Sequence, residues 1–223
     1  MGGDSSLIHP KGAVAPAPGG RSQAAQGHSP TMTVAKRIFD LLAILAAAPA
    51  VLLILAIAML AIVISSGRPI FYIQDRIGLR GQVFPMIKLR TMRAVAASDA
   101  VATSIGDQRV TSVGRVLRRY RIDELPQLLN VLKGDMSLIG PRPEQPILVQ
   151  QYRRAIPDFD HRQLVKPGIS GLAQVMYGYA SNVEETQIKV AYDRFYVENA
   201  SVLLEAKIMI WTMQTVFRCR GAR

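Results

Sequence analysis

Residues 41–64 read LLAILAAAPAVLLILAIAMLAIVI, a run of 24 without a charged or strongly hydrogen-bonding side chain. About 20 apolar residues in a helix cross the hydrocarbon core of a bilayer, so this segment belongs in a membrane and governs how the rest of the chain is arranged. Pro49, a third of the way along, removes a backbone hydrogen bond and kinks a helix. Both flanks are basic: Lys36 and Arg37 precede the run, and Arg68, Arg76, Arg80, Lys88, Arg90 and Arg93 follow it. Positive flanks favour the cytoplasmic side, so both ends prefer the same face of the membrane. A bent, re-entrant helix satisfies that preference and a straight spanning one does not; on these residues alone both arrangements stand.

Outside this run, composition narrows the choices. The chain has 223 residues, is 49% hydrophobic and carries a net charge of +11, with a pI near 10.2. It is long enough for one sizeable core. The basic excess calls for an anionic partner, whether nucleic acid, an anionic membrane surface or a phosphorylated substrate. Cys219 is the only cysteine, which excludes an intrachain disulfide and a thiolate metal cluster. His9, His28 and His161 are scattered, which speaks against a histidine metal site. Residues 1–32 are rich in Gly, Ala, Pro, Ser and Gln without apolar periodicity and read as a disordered tail.

Downstream of the apolar run, β-prone segments at Ile70 to Gln74 and Gln82 to Lys88 flank a connection bearing Gly and Arg, which predicts a hairpin. Residues 94–108 are small and polar, a loop or weak helix. Residues 109–121 carry five arginines and no acid. A helix resumes at LPQLLNVLKGD, where Leu125, Leu128, Leu129 and Leu132 share a face and Gly134 is placed to end it. The last apolar segment, Val202 to Phe217, contains Lys207 and Trp211 and suits either a core helix or one lying in the membrane interface.

Between the arginines and the leucine-rich helix lies RIDELPQ, residues 121–127, with two adjacent acids. Helix capping is the simplest reading: Asp123 at the N-cap, Glu124 in the first turn, and Pro126 where a missing N–H is harmless. A catalytic reading is compatible with it. Adjacent Asp and Glu differ in reach, so one can attack phosphorus while the other holds Mg²⁺, which prefers carboxylate, water and phosphate oxygens. Arg115, Arg118, Arg119, Arg121 and Arg142, the last between two prolines, are suited to binding phosphate oxygens bidentately.

The ordered blocks KRIFD (36–40), GRPIFYIQDRIG (67–78), IKLRTM (87–92), RVTSVGRVLRRYRIDELPQLLNVLKGDMSLIGPRPE (109–144), VKPGISGLAQV (165–175) and YDRFYVENAS (192–201) resemble the bacterial sugar transferase family. These are the monotopic phosphoglycosyl transferases. The resemblance runs from about residue 33 to the C-terminus. It implies transfer of a sugar 1-phosphate from a UDP-sugar to undecaprenyl phosphate with release of UMP, the step that initiates exopolysaccharide or related glycan assembly. By that match Asp123 is the nucleophile that carries the phosphosugar and Glu124 helps bind Mg²⁺, while Arg142, Arg118, Lys88 and Arg90 face phosphate or nucleotide. The implied fold is α+β, mostly helical: a tail (1–32), a re-entrant membrane helix broken at Pro49 (33–66), and a cytoplasmic catalytic domain (67–223) with a small β-hairpin and interfacial amphipathic helices. Ala48 stands where members often have Ser. The implied location is the bacterial inner membrane, with the domain facing the cytoplasm, no nucleic-acid partner, and a homo-oligomer compatible with the pattern. In length the chain resembles the short, catalytically sufficient form of the family. A non-catalytic, membrane-tethered basic module that binds anionic lipid or nucleic acid is the rival reading. It rests on the net charge and residues 109–121 alone, and aromatic residues, at 6%, are too few for a nucleic-acid stacking surface.

Overall fold

Apolar side chains on every side of a helix leave it no surface for water, and the longest element of the chain is of this kind. In a computed structural model, which describes residues 30–93, 107–178 and 182–217, helix α1 (Pro30–Ser66) runs 37 residues through Pro49. At about 1.5 Å per residue it is some 55 Å long, well beyond one bilayer core. Only 11% of its most apolar window is buried by protein. The burial that does occur lies at its two ends. Ile44 packs with Phe84, Met86, Val131 and Met136, and Ala58 and Ile62 pack with Leu89 and Leu117. Between them Leu45, Leu52 and Leu53 remain exposed. The expected tail and the 94–108 segment fall almost wholly outside the described residues.

Polar residues fasten the N-terminal end of α1. Asp40 accepts hydrogen bonds from the Ser137 hydroxyl at 2.7 Å and the Leu138 N–H at 3.3 Å. The Arg37 guanidinium donates to the carbonyls of Val131 at 2.5 Å and Leu132 at 2.8 Å. Lys36 pairs with buried Glu205 at 2.5 Å, and the Tyr196 hydroxyl donates to the same carboxylate.

The predicted hairpin is present. β1 (Phe71–Ile77) pairs antiparallel with β2 (Val83–Leu89), Phe71 opposite Leu89 and Ile77 opposite Val83. The spacing did not reveal a second pair, parallel β3 (Ser137–Ile139) and β4 (Gly168–Ser170). Three-residue strands are too short to leave a periodic signal. Their crossing needs glycine, since a Cβ on Gly168 would meet the Gly140 nitrogen at 2.1 Å. Around these strands lie α2 (Ser112–Arg119), α3 (Gln127–Lys133), α4 (Pro146–Ala155), α5 (Leu172–Met176), α6 (Val183–Asn199) and α7 (Val202–Phe217). The largest buried cluster joins Ile139, Val165, Leu172, Tyr192, Tyr196 and Ile208, so β3, α5, α6 and α7 share one core.

Helix α3 buries little of its leucine face in protein. Its buried residues are Gln127, Asn130 and Val131, while Leu129 and Leu132 are 49% and 46% exposed. Periodicity locates an apolar face without saying whether protein covers it. Asn130 carries the packing instead: its amide accepts from the Ile87 N–H at 3.1 Å and donates to the Pro85 carbonyl at 2.8 Å, extending the ladder of β2. Gly134 does end the helix, in the left-handed conformation at φ 94°. Val116 and Tyr120 on and beside α2, and Val202, Leu203, Ile210 and Met213 on α7, are likewise exposed.

Candidate active site

The RIDELPQ segment is a bend and does not begin a helix. Arg121 sits in the left-handed region at φ 57°, Ile122–Glu124 form a single 3₁₀ turn, and α3 starts only at Gln127. Asp123 is therefore no N-cap, and no side-chain cap bond closes this turn. A 3₁₀ turn followed by a proline that cannot donate brings both acids inward, 9% and 7% exposed.

Three cations converge on Glu124. The Arg142 guanidinium reaches Oε1 at 2.5 Å and Oε2 at 3.4 Å, Lys88 Nζ reaches Oε1 at 3.2 Å, and Arg121 approaches Oε2 at 3.7 Å. Burial would raise the carboxyl's pKa, but Arg142 and Lys88 outweigh it and hold Glu124 far below the usual carboxylate range. Asp123 is in the opposite state. Its carboxylate makes no hydrogen bond among the described residues. Burial first, and then the negative charge of Glu124, push it up to about 6, against the pull of Lys88, Arg118 and Arg142. Lys88 is depressed by burial and partly restored by Glu124. The pair thus holds one carboxylate fixed as an anion and one basic enough to be a good nucleophile while still ionised at neutral pH.

Of the residues expected here, Lys88 and Arg142 meet Glu124 directly. Arg118 lies close enough to lower Asp123's pKa, and its Nε donates to the Thr91 hydroxyl at 2.8 Å. Arg90 goes elsewhere: its guanidinium donates to the carbonyls of Ser66 at 2.6 Å and Gly67 at 2.7 Å, at the end of α1. Arg121 was visible only as one of a run of arginines. Arg76 had appeared only as a basic flank of the membrane segment, yet it is buried near Arg142 and Glu124. Arg162, Glu144 and Asp193 went unnoticed because nothing in local spacing brings residues 144, 162 and 193 together.

The donor set suits Mg²⁺, which takes oxygen ligands and binds through one or two carboxylates plus substrate phosphates. Three N–H contacts within 3.5 Å occupy three of the roughly four lone-pair sites of Glu124. That leaves a position there and the whole of Asp123. No cluster of three or more His, Cys, Asp or Glu that could hold a metal ion occurs among the described residues.

A buried acid pair faced by arginines and a lysine, on a domain fastened to a long apolar helix, defines an enzyme-like site lined with positive charge. Residues 31–219 match the model of the bacterial sugar transferase family, and the chain belongs to that family. Among its relatives is a UDP-N-acetylgalactosamine-undecaprenyl-phosphate N-acetylgalactosaminephosphotransferase of Aeromonas hydrophila, 45% identical over 197 residues, which cover 87% of this chain and 46% of that protein. A UDP-glucose:undecaprenyl-phosphate glucose-1-phosphate transferase of Caulobacter vibrioides is 42% identical over 192 residues, 84% of this chain and 71% of the relative. An uncharacterized sugar transferase of Bacillus subtilis, EpsL, is 40% identical over 195 residues, 84% of this chain and 90% of the relative. The chain thus spans about half the length of the Aeromonas protein.

Proposed function

We propose that this protein transfers a sugar 1-phosphate from a UDP-sugar to undecaprenyl phosphate through an aspartyl intermediate, at the cytoplasmic face of a bacterial inner membrane. The observation that carries this reading is the division of labour in the acid pair, with Glu124 held ionised by Arg142, Lys88 and Arg121 and Asp123 beside it making no hydrogen bond among the described residues. An Asp123 carboxylate oxygen attacks the β-phosphorus of the donor. The bond between that phosphorus and the bridging oxygen breaks, and UMP leaves with the electron pair. A phosphate oxygen of undecaprenyl phosphate then attacks the same phosphorus, forming the lipid diphosphosugar and releasing the Asp123 carboxylate. Arg118, Arg121, Arg142 and Lys88 supply fixed positive charge to a diphosphate that would otherwise be repelled by two acids. Mg²⁺ held by Glu124 and the diphosphate would neutralise charge on the leaving phosphate.

The arrangement of α1 supports a re-entrant path. Its Lys36–Ile44 end and its Ala58–Ser66 end both contact the same domain, while the stretch around Pro49 is exposed. A helix crossing the bilayer would put those ends on opposite sides, about 30 Å apart, where one domain outside the hydrocarbon cannot hold both. On this reading the exposed apolar side chains of α2, α3 and α7 lie in the membrane interface. The test is mass spectrometry of the purified protein after incubation with a panel of UDP-sugars, with and without undecaprenyl phosphate. A sugar-phosphate adduct should form with donor alone, disappear on adding the acceptor, and be absent in Asp123→Asn. An adduct that persists in that variant refutes the assignment.

A further inference from the structure

The segment that delivers Arg142 to Glu124 cannot hold itself in place. Pro141 and Pro143 have no N–H to donate, and although their rings fix φ, each carbonyl is still aimed by a free ψ. In the structure four consecutive carbonyls are held from outside, each by a different donor. Pro141 O accepts from the Gly168 N–H at 3.0 Å, and Glu144 O from the Ile77 N–H at 2.9 Å. Between them Arg142 O accepts from Arg162 at 2.8 Å, and Pro143 O from Arg76 at 3.1 Å.

The two arginines that supply the central bonds are themselves committed. Arg162 is 7% exposed, pairs with buried Asp193 through Nε at 2.9 Å and through a terminal nitrogen at 2.7 Å, and lies over the Phe159 ring at 5.2 Å. Arg76 donates its other terminal nitrogen to the Gln74 side chain at 2.7 Å. In an anion-binding region rich in arginine these two would ordinarily be counted as phosphate ligands. Each instead gives one terminal nitrogen to a loop carbonyl and another bond to a neighbouring side chain.

We propose that Arg76 and Arg162 are positioning residues: they clamp the Pro141–Glu144 loop by its carbonyls, and so fix the two-point contact of Arg142 with Glu124 on which the acid pair depends. Arg76 comes from β1 of the hairpin and Arg162 from the turn before β4, so the clamp grips the loop from two elements far apart in sequence. The inference rests on the function proposed above for its kinetic readout. Its structural readout does not.

The experiment uses the full chain in lipid nanodiscs with Arg76→Gln, Arg76→Lys, Arg142→Gln, and Arg162→Gln combined with Asp193→Asn so that no buried carboxylate is orphaned. Loosening the clamp should speed hydrogen exchange at the Ile77 and Gly168 amides, which hold the two ends of the loop. For UMP release, Arg76→Gln and the Arg162 variant should each lower kcat about tenfold to a hundredfold, as misplacement by an ångström can, with donor KM changed less than about threefold. Arg76→Lys, which can still donate to Pro143 O, should recover part of the rate. In the Arg142→Gln background neither change should lower kcat further. Multiplicative losses in that background, or unchanged exchange at both amides, overturn the clamp. If the Arg162 variant does not fold, the Arg76 variants decide the matter alone. Absence of UMP release by the wild type would refute the functional reading while amide exchange still judges the clamp.

Discussion

Replacing Asp123 by Asn should make this protein more stable while abolishing its activity, and the gain should depend on pH. The folded structure raises Asp123 from 3.8 to about 6, because burial and Glu124 disfavour its charge. Folding at pH 8 must therefore keep ionised a group that prefers to be neutral. A difference of about 2 units at 1.36 kcal/mol each makes this cost about 3 kcal/mol. Asn has the same shape and no charge, so it removes the cost. With a folded value above the unfolded one, the native state binds the extra proton. The wild type thus gains stability relative to the variant as pH falls from 6 toward 4, and the difference should shrink to below about 1 kcal/mol at pH 4. For a chain of this size 1 kcal/mol corresponds to about 2–4 °C in Tm, so at pH 8 the variant should melt about 6–12 °C higher. Thermal unfolding of both proteins in one detergent at pH 8, 6 and 4 measures it. A variant no more stable at pH 8, or one whose advantage is the same at all three pH values, refutes the assignment of Asp123 as the strained member of the pair.

Glu124→Gln removes the second cause of Asp123's raised pKa and the anchor of Arg142, so the acid limb of the pH–rate profile should move to lower pH while kcat falls at least a hundredfold; an unshifted limb counts against the coupling. Asn130→Leu removes the partner of the Ile87 N–H and the Pro85 carbonyl and should cost about 1–3 kcal/mol, read from chemical unfolding, since each of the two part-buried hydrogen bonds contributes about 0.5–1.5 kcal/mol. Pro49→Leu should favour a straight, spanning α1; with Cys219 replaced by Ser, single cysteines placed on either side of the apolar run should then label from opposite faces of the membrane, and labelling of both from one face would show that the bend does not need the proline.

What the sequence made legible was whatever depends on neighbours along the chain. Leu41 to Ile64 announced a membrane helix by length, the hairpin followed from two β-prone runs, and Gly134 marked a helix end because its φ is one that glycine tolerates best. The acid pair was visible as two letters, but its electrostatics were not: the contrast between Glu124 and Asp123 comes from Arg142 and Lys88, 18 and 36 residues away in sequence. The local reading of Asp123 as an N-cap failed because left-handed Arg121 and the 3₁₀ turn delay α3 to Gln127. The leucines of α3 showed a face but not what covers it. Leu129 and Leu132 form a true apolar face, but the core wanted Asn130, whose amide replaces a missing strand along β2.

The same strand fixes how far the acids can lie from the membrane helix. Lys88 at the end of β2 holds Glu124, and Arg90, two residues on, holds the last carbonyls of α1. Along an extended chain two residues advance about 7 Å, and both contacts are made by side chains of ordinary reach. The dyad is therefore tied to the C-terminal end of α1 by a short connection. The bonds of Asp40 to Ser137 and of Arg37 to the end of α3 do the same at the other end of the helix. On the re-entrant reading proposed above, the carboxylates stand at the headgroup layer, where a lipid phosphate need not be lifted out to reach them. Arg90, which looked like a phosphate ligand in the sequence, contributes by setting their height through its bonds to the end of α1.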